Sequence, residues 1–275
     1  MLVEIAGLNI VFAGRNGPHT AVRDVSLTLG TEKLGIVGES GSGKSLTARA
    51  LLRLLPPAAT ATADVLRVDG TDVLQASERQ MQTIRGHRAG LVLQDPKYAL
   101  NPVMTAGAQI AEAWRNRKKG SRREAREAAI DLLAQVQIRD PRRVADCYPH
   151  ELSGGMGQRV MIAMMLAPDP TLLIADEPTS ALDAPVQMEI LKLMEDLVSR
   201  RNMGLMLISH DLPLVGHFCD RVAVMYAGRI VEHLSAEKLA QANHPYTRAL
   251  LECLPSLAHP RPRLPVMTRD PAWLA

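Results

Sequence analysis

The chain has 275 residues, 47% hydrophobic and 22% charged, with a formal net charge of +3 and a pI near 8.9. That length gives ample core for one large domain or two modest ones. No run approaches the roughly 20 uninterrupted apolar residues that a membrane-spanning helix needs, and the opening MLVEIAGLNI carries Glu4 without a basic region, which excludes a secretion signal and leaves a cytosolic or membrane-peripheral protein.

Residues 2–11 and 21–29 alternate apolar and polar side chains, predicting two antiparallel strands joined by the turn-rich GRNGPH segment. Residues 34–37 read as a buried strand leading into GESGSGKS at 38–45. Here Gly38, Gly43, Lys44 and Ser45 occupy the fixed positions of G-x-x-x-x-G-K-[ST]. The glycines let backbone N–H groups from Ser40, Gly41, Ser42 and Gly43 on to Leu46 turn inward around phosphate oxygens. Lys44 adds positive charge at the β and γ phosphates, and the Ser45 hydroxyl can ligate magnesium. A helix over 44–55 points its positive end at the same phosphates, so a nucleoside triphosphate is the expected ligand.

A strand at 66–68, a turn at Asp69-Gly70 and a polar helix near 77–85 lead to a strand at 90–93 ending in Gln94-Asp95-Pro96. Gln94 can reach a metal and an attacking water, although alone it equally suits a strand-end turn. From about 100 to 167 the chain is rich in Ala, Arg, Glu and Leu with helical spacing, an all-helical insert. Its basic cluster, Arg115, Arg117, Lys118, Lys119, Arg122, Arg123 and Arg126, lacks the aromatic neighbours of a nucleic-acid surface; the whole chain is 3% aromatic. It reads as a solvated loop and helix start, and no nucleic acid is expected.

Within LSGGM, Ser153 caps a helix and Gly154 and Gly155 expose its N-terminus, a second place able to bind phosphate. Two such helix ends in one chain suggest that one serves a neighbouring molecule. LLIADE at 172–177 is an apolar strand ending in two carboxylates: Asp176 can hold magnesium through water, and Glu177 projects to where an attacking water would stand. A helix at 186–200 presents Ile190, Leu191, Met194, Leu197 and Val198 on one face. After the strand at 204–208, His210 can donate to a γ-phosphate, although a lone histidine there also suits a structural role. A strand pair at 221–226 and 229–232 turns about Ala227-Gly228, and the Pro-rich tail, 256–275, is expected to be extended or loosely packed.

Cys147, Cys219 and Cys253 are too few and scattered for a disulfide framework. Cys147 with His150, and His217 with Cys219, have spacings atypical of zinc. The 13 methionines fall mostly at core-type positions.

In this order the motifs resemble the nucleotide-binding subunit of an ATP-binding-cassette (ABC) transporter over about residues 3–255. The phosphate loop at 38–45 resembles Walker A, Gln94 the Q-loop, 152–156 the signature, 172–177 Walker B, 180–183 the D-loop and His210 the switch histidine. The resemblance implies an α/β fold: a RecA-like P-loop core, an antiparallel β subdomain and the inserted helical subdomain. It implies ATP and Mg2+ as ligands, with magnesium at Ser45, Gln94 and Asp176, catalysis by Glu177, His210 and Gln94, and Phe12 stacking on adenine, with His19 the other candidate and core packing an equal reading of Phe12. Two such domains would pack head to tail, each ATP lying between one subunit's Walker A and the other's signature.

Gln94-Asp95-Pro96, Leu100-Asn101-Pro102, YPHELSGGM, RVMIAM, LLIADEPTSALD and HPYTRALL (244–251) look like the oligopeptide, dipeptide and nickel importer subfamily. Met156, where the signature usually has glutamine, implies a heterodimer with a second ABC ATPase. Two permease subunits, bound at the helical subdomain on the cytoplasmic face of the inner membrane, and indirectly a solute-binding protein complete the implied assembly. Gly157 departs from the subfamily's usual basic residue, with a looser signature helix or a weaker phosphate field there the expected consequence. A short tail with only Cys253 after HPYTRALL predicts no iron–sulfur cluster, which takes four thiolates, and leans toward the nickel or metal-chelate branch. The alternative, a soluble cassette ATPase of DNA repair or translation, predicts coiled-coil inserts or two cassettes in one chain, and a binding module without catalysis sits badly with Lys44, Asp176, Glu177 and His210.

Overall fold

The alternation read in the first thirty residues builds a hairpin whose inward side chains are the core of the first layer. In the computed structural model, which describes residues 1–14, 17–254 and 273, β1 (Val3–Phe12) and β2 (His19–Leu29) pair antiparallel from Val3 opposite Leu29 to Phe12 opposite His19. Val3, Ile5, Leu8, Ile10, Val22, Val25, Leu27 and Leu29 face inward and are buried. β3 (Lys33–Val37) and α1 (Lys44–Leu51) follow. β4 (Ala59–Thr62), β5 (Val65–Val68) and β6 (Thr71–Asp72) complete this sheet in the order β2-β1-β5-β6, with β4 beside the far end of β1.

α2 (Glu78–Thr83) starts at a reciprocal cap between Ser77 and Gln80 and runs through a π turn, Ile84–Arg88, into β7 (Ala89–Val92). The helical segment then comprises α3 (Ala106–Arg117), α4 (Arg122–Gln135), α5 (Pro141–Ala145) and α6 (Gly154–Leu166); Thr105, Ser121, Asp140 and Ser153 each cap the helix that follows them. The chain returns through β8 (Leu172–Asp176), α7 (Ala184–Arg200), β9 (Gly204–Ser209), α8 (Leu212–Phe218), β10 (Arg221–Tyr226), β11 (Arg229–Ser235) and α9 (Pro245–Glu252).

The second sheet has the order β11-β10-β3-β9-β8-β7, parallel from β10 to β7, with β11 antiparallel at one edge. Its strands are unbroken apolar runs because both faces are covered. Leu172, Ile174, Met206, Ile208, Ala223 and Met225 join α1 and the first sheet on one side. Their alternates Leu173, Ala175, Leu205, Leu207, Val222 and Val224 join α6, α7 and the helical segment on the other. Among the described residues no helix is long and apolar enough to cross a membrane.

Several expectations shift. The helix expected over 44–55 stops at Leu51, because Arg53 takes a left-handed backbone (φ 52) ahead of Pro56. β4, β6 and α9 add elements that short Ala/Thr-rich or Pro-led stretches did not signal, and the last strand extends to Ser235 rather than residue 232. α6 continues through Gly157, which is buried facing Pro96. The tail at 256–275 lies outside the described residues apart from Trp273. That ring is not loosely packed: it is 9% exposed and lies 5.5 Å from each of Tyr226 and Tyr246.

α9 is fastened to the β10–β11 pair by one carboxylate. Glu232 Oε1 accepts the backbone N–H groups of Asn243 (2.7 Å) and His244 (3.2 Å). Burial pushes its carboxyl up, but the polar surroundings, the Thr247 hydroxyl first and then the hydrogen bonds from those two amides, outweigh it and hold the group below the usual carboxylate value. A depressed carboxylate contributes stability above its unfolded value near 4.5 and loses it as pH falls through its own lower value. Glu232→Gln is therefore expected to lower the melting temperature at pH 7 by about 3 °C, from roughly 1 kcal/mol of lost charge-assisted bonding, with the gap to wild type closing below about pH 4; calorimetry across that range checks it.

Candidate functional site

The parallel strands put every loop that carries chemistry on one edge. The register sets Val37 beside Ser209, Asp176 beside Ile208 and Val92 beside Ala175, so the segments starting at Gly38, Glu177, His210 and Leu93 leave from neighbouring carboxyl ends, where open α/β sheets bind ligands.

The loop after β3 is glycine by necessity at its first residue: Gly38 has φ 153, and a methyl there would stand 2.0 Å from the Met225 carbonyl oxygen. The backbone then coils, with the Ser42 N–H donating to Glu39 O and Gly228 N–H donating to Ser42 O, and delivers Lys44 into the interior at 4% exposure. Lys44 Nζ donates to Gly38 O and Glu39 O at 2.8 Å each. Burial pulls its ammonium below the ordinary lysine value, opposed by the charges of Glu177, Asp176 and Glu39. Ser45 Oγ, one residue on, donates to Asp176 Oδ1 at 2.6 Å; Asp176 is 5% exposed, and Arg49 NH2 stands 3.6 Å from its Oδ2.

Glu177 follows Asp176 in the left-handed region, φ 50, an arrangement that costs about 1–3 kcal/mol in a non-glycine residue. It is held there from both sides. Its N–H donates to Ile208 O at 3.0 Å, and its own carbonyl accepts from the N–H and hydroxyl of Ser180 (3.3 and 3.2 Å). The side chain thereby reaches across to β9, where Glu177 Oε2 lies 3.3 Å from His210 Nδ1. His210 is itself fixed at the strand end by a tight turn, in which Asp211 N–H donates to Ser209 Oγ and Asp211 caps α8 at Leu214 N–H. A partly buried carboxylate beside an imidazole, at the edge of a loop lined with amides and one ammonium, can polarise water next to a bound phosphate.

Thus Lys44, Ser45, Asp176, Glu177 and His210, read from three separate stretches of sequence, come together. Gln94 is exposed at the bend two residues past β7; continuing the register sets it level with Glu177. Phe12 and His19 face each other across the first hairpin, the ring of Phe12 partly buried against the core and His19 exposed. Ser153, Gly154 and Gly155 stand apart: Ser153 accepts the Met156 N–H at 3.3 Å, Ser153 and Gly154 are exposed, and among the described residues they share no hydrogen bond with Lys44, Ser45 or Asp176. A methyl at Gly155 would meet Val186 of α7 at 2.8 Å, so that residue lets the D-loop side of α7 sit against the start of α6.

Sequence reasoning missed three participants. Arg49 lies one helical turn beyond Ser45 on the same face, a spacing that does carry the signal. Gln158, fully buried in α6, donates to Leu93 O at 3.4 Å and ties the signature helix to the segment holding Gln94. Tyr246 of α9 meets the phosphate loop from two hundred residues away, and nothing local announces it.

The family described as ABC transporter matches residues 22–180. A probable peptide ABC transporter ATP-binding protein of Sinorhizobium fredii is 49% identical over 93% of this chain and 77% of its own length. A dipeptide transport ATP-binding protein of Escherichia coli is 44% identical over 96% of this chain and 81% of its own. Among solved structures, a dimeric ATP-binding cassette in a post-hydrolysis state bound to ADP and Pi superposes with a TM-score of 0.76 at 26% identity, covering 86% of this chain and 99% of that one.

Replacing Lys44 with Ala should remove the buried ammonium while leaving the sheet intact. The expected result is ATP binding weakened by at least tenfold, about 1.5–3 kcal/mol for lost charge-assisted bonds, with a melting temperature close to wild type; calorimetric titration with ATP measures it.

Proposed function

We propose, from the premise that this chain belongs to the ABC transporter family of ATPases, that it is the ATP-hydrolysing subunit of a bacterial-type importer and that the cargo is peptides. The observation that carries the catalytic part is the meeting of Lys44 and Ser45 at one strand end with Asp176 and Glu177 at another. The cargo rests on likeness to relatives named for peptide and dipeptide transport, aligned over 93–97% of this chain. Those names favour peptides over the nickel or metal-chelate branch and give no support to a soluble repair or translation factor.

In this reading the amides of Ser40, Gly41, Ser42, Gly43, Lys44, Ser45 and Leu46 cradle the ATP phosphates, and the Lys44 ammonium spreads over the β and γ oxygens. Phe12 packs against adenine. Ser45 and Asp176 suit a magnesium ion, because a hydroxyl and a buried anionic carboxylate 2.6 Å apart are hard oxygen donors, with Gln94 at the rim as a third. When bound, the ion would neutralise charge on the phosphate oxygens. Glu177 takes the proton from the attacking water, and His210 steadies the Glu177 carboxylate on one side and the γ-phosphate on the other.

The exposed Ser153 and Gly154 serve the ATP of a second ABC ATPase subunit, and Met156 in the signature points to a non-identical partner. Two permeases dock at the helical subdomain, 100–167. A cleft of about 290 Å³ there, lined by Arg85, His87, Asn101 and Glu112 among others, and the nearby side chains of Tyr98 and Val103, 86% and 78% exposed, support that contact. Through the permeases the chain is held at the cytoplasmic face of the membrane, and a solute-binding protein delivers cargo on the far side.

Two measurements test the reading. The purified chain alone is expected to hydrolyse ATP slowly and the co-expressed complex to be much faster; equal rates at every protein concentration would remove the need for a second signature. Glu177→Gln, paired with the matching change in the partner so that no active site remains, should lose about 10² to 10⁴ in turnover, or roughly 3–5 kcal/mol, while still binding ATP. Turnover within about threefold of wild type, or lost binding, would dismiss Glu177 as the base.

A further inference from the structure

Tyr246 belongs to none of the nucleotide motifs, yet it touches the phosphate loop. It lies in the first turn of α9, fully buried, with its ring 4.4 Å from Tyr226 and 5.5 Å from Trp273. Its hydroxyl oxygen accepts the backbone N–H of Glu39 at 3.1 Å. That N–H and the carbonyl of Gly38 are the two ends of one peptide group, and the carbonyl end accepts Lys44 Nζ at 2.8 Å. A single peptide plane at the entrance of the loop is therefore clamped between the tyrosine and the lysine.

We propose that Tyr246 is a positioning residue for nucleotide binding: it fixes the Gly38–Glu39 peptide so that the Gly38 carbonyl holds the Lys44 ammonium where phosphates bind. The inference rests on the reading of 38–45 as the ATP phosphate loop. Three features make the clamp stiff. Tyr226 ends β10, beside β3 in the sheet, and with Ala227 it lines a cavity of about 170 Å³ against Glu39, Ser40, Gly41 and Ser42. The tilted ring contacts with Tyr226 and Trp273 leave the Tyr246 ring little freedom to turn its hydroxyl elsewhere. The Glu232 cap holds the start of α9 on β11, so the tyrosine is anchored to the sheet that carries the loop. Without the hydroxyl, the Gly38–Glu39 peptide can rotate, and each rotation takes the Gly38 oxygen away from Lys44. Tyr246 reaches no reacting atom, so its effect falls on nucleotide affinity and leaves the chemical step nearly untouched.

The test is Tyr246→Phe, which deletes one oxygen and keeps the ring contacts. In the full chain, ATP affinity read by displacement of trinitrophenyl-ATP should fall about tenfold, the usual scale for losing one hydrogen bond. In the assembled complex the KM for ATP should rise by a similar factor with kcat within about twofold. Hydrogen exchange at the Glu39 amide should quicken at least tenfold while the β3 and β10 amides keep their wild-type rates. Affinity within twofold of wild type, or unchanged exchange at Glu39, overturns the proposal. So does a variant that melts earlier and exchanges faster throughout β10 and α9, which marks a purely structural tyrosine. A wild-type chain that fails to bind the trinitrophenyl-ATP probe would instead defeat the nucleotide reading of the loop, and exchange at Glu39 would still decide whether the hydroxyl holds that amide.

Discussion

An ammonium that is 4% exposed must be bonded on every side or the fold pays several kcal/mol for it. Lys44 meets that requirement with the two carbonyls at the start of its own loop, Gly38 and Glu39, and with the field of Asp176 and Glu177 from the end of β8. The loop must therefore bend back on itself, which forces glycine at residue 38, and β8 must lie two strands from β3 with its carboxylates level with the loop. The strand order β3-β9-β8 supplies this and places His210, between them, against Glu177.

The same arrangement explains why the phosphate site and the signature are separate structures within one chain. α6 begins with an exposed serine cap and two glycines, packed through Gly155 against α7 and through Gln158 against the end of β7. Its open helix end is thus rigidly coupled to the segments that carry Gln94 and the D-loop.

α9 and Trp273 extend this logic to the far end of the chain. Tyr226, Tyr246 and Trp273 cover the β10 end of the sheet, and Glu232 fastens the helix there with its charge. The late HPYTRALL segment is accordingly part of the floor under the phosphate loop.

The local patterns determined much of this by themselves. Period-two alternation specified the first hairpin, unbroken apolar runs specified strands covered on both faces, and the spacing of Gly38, Gly43, Lys44 and Ser45 specified a phosphate loop, because each depends on geometry within a few residues. Arg49, one turn from Ser45, went unread although its spacing carried the same kind of signal. The tertiary structure alone decided which strand ends became neighbours, that Glu177 would be held at φ 50 beside His210, that Gly157 would be absorbed against Pro96, and that Tyr246 would reach the Glu39 amide. Those contacts join residues from about 30 to about 200 positions apart. Sequence spacing carries no information about such distances; only the order in which strands pair within the sheet brings them together.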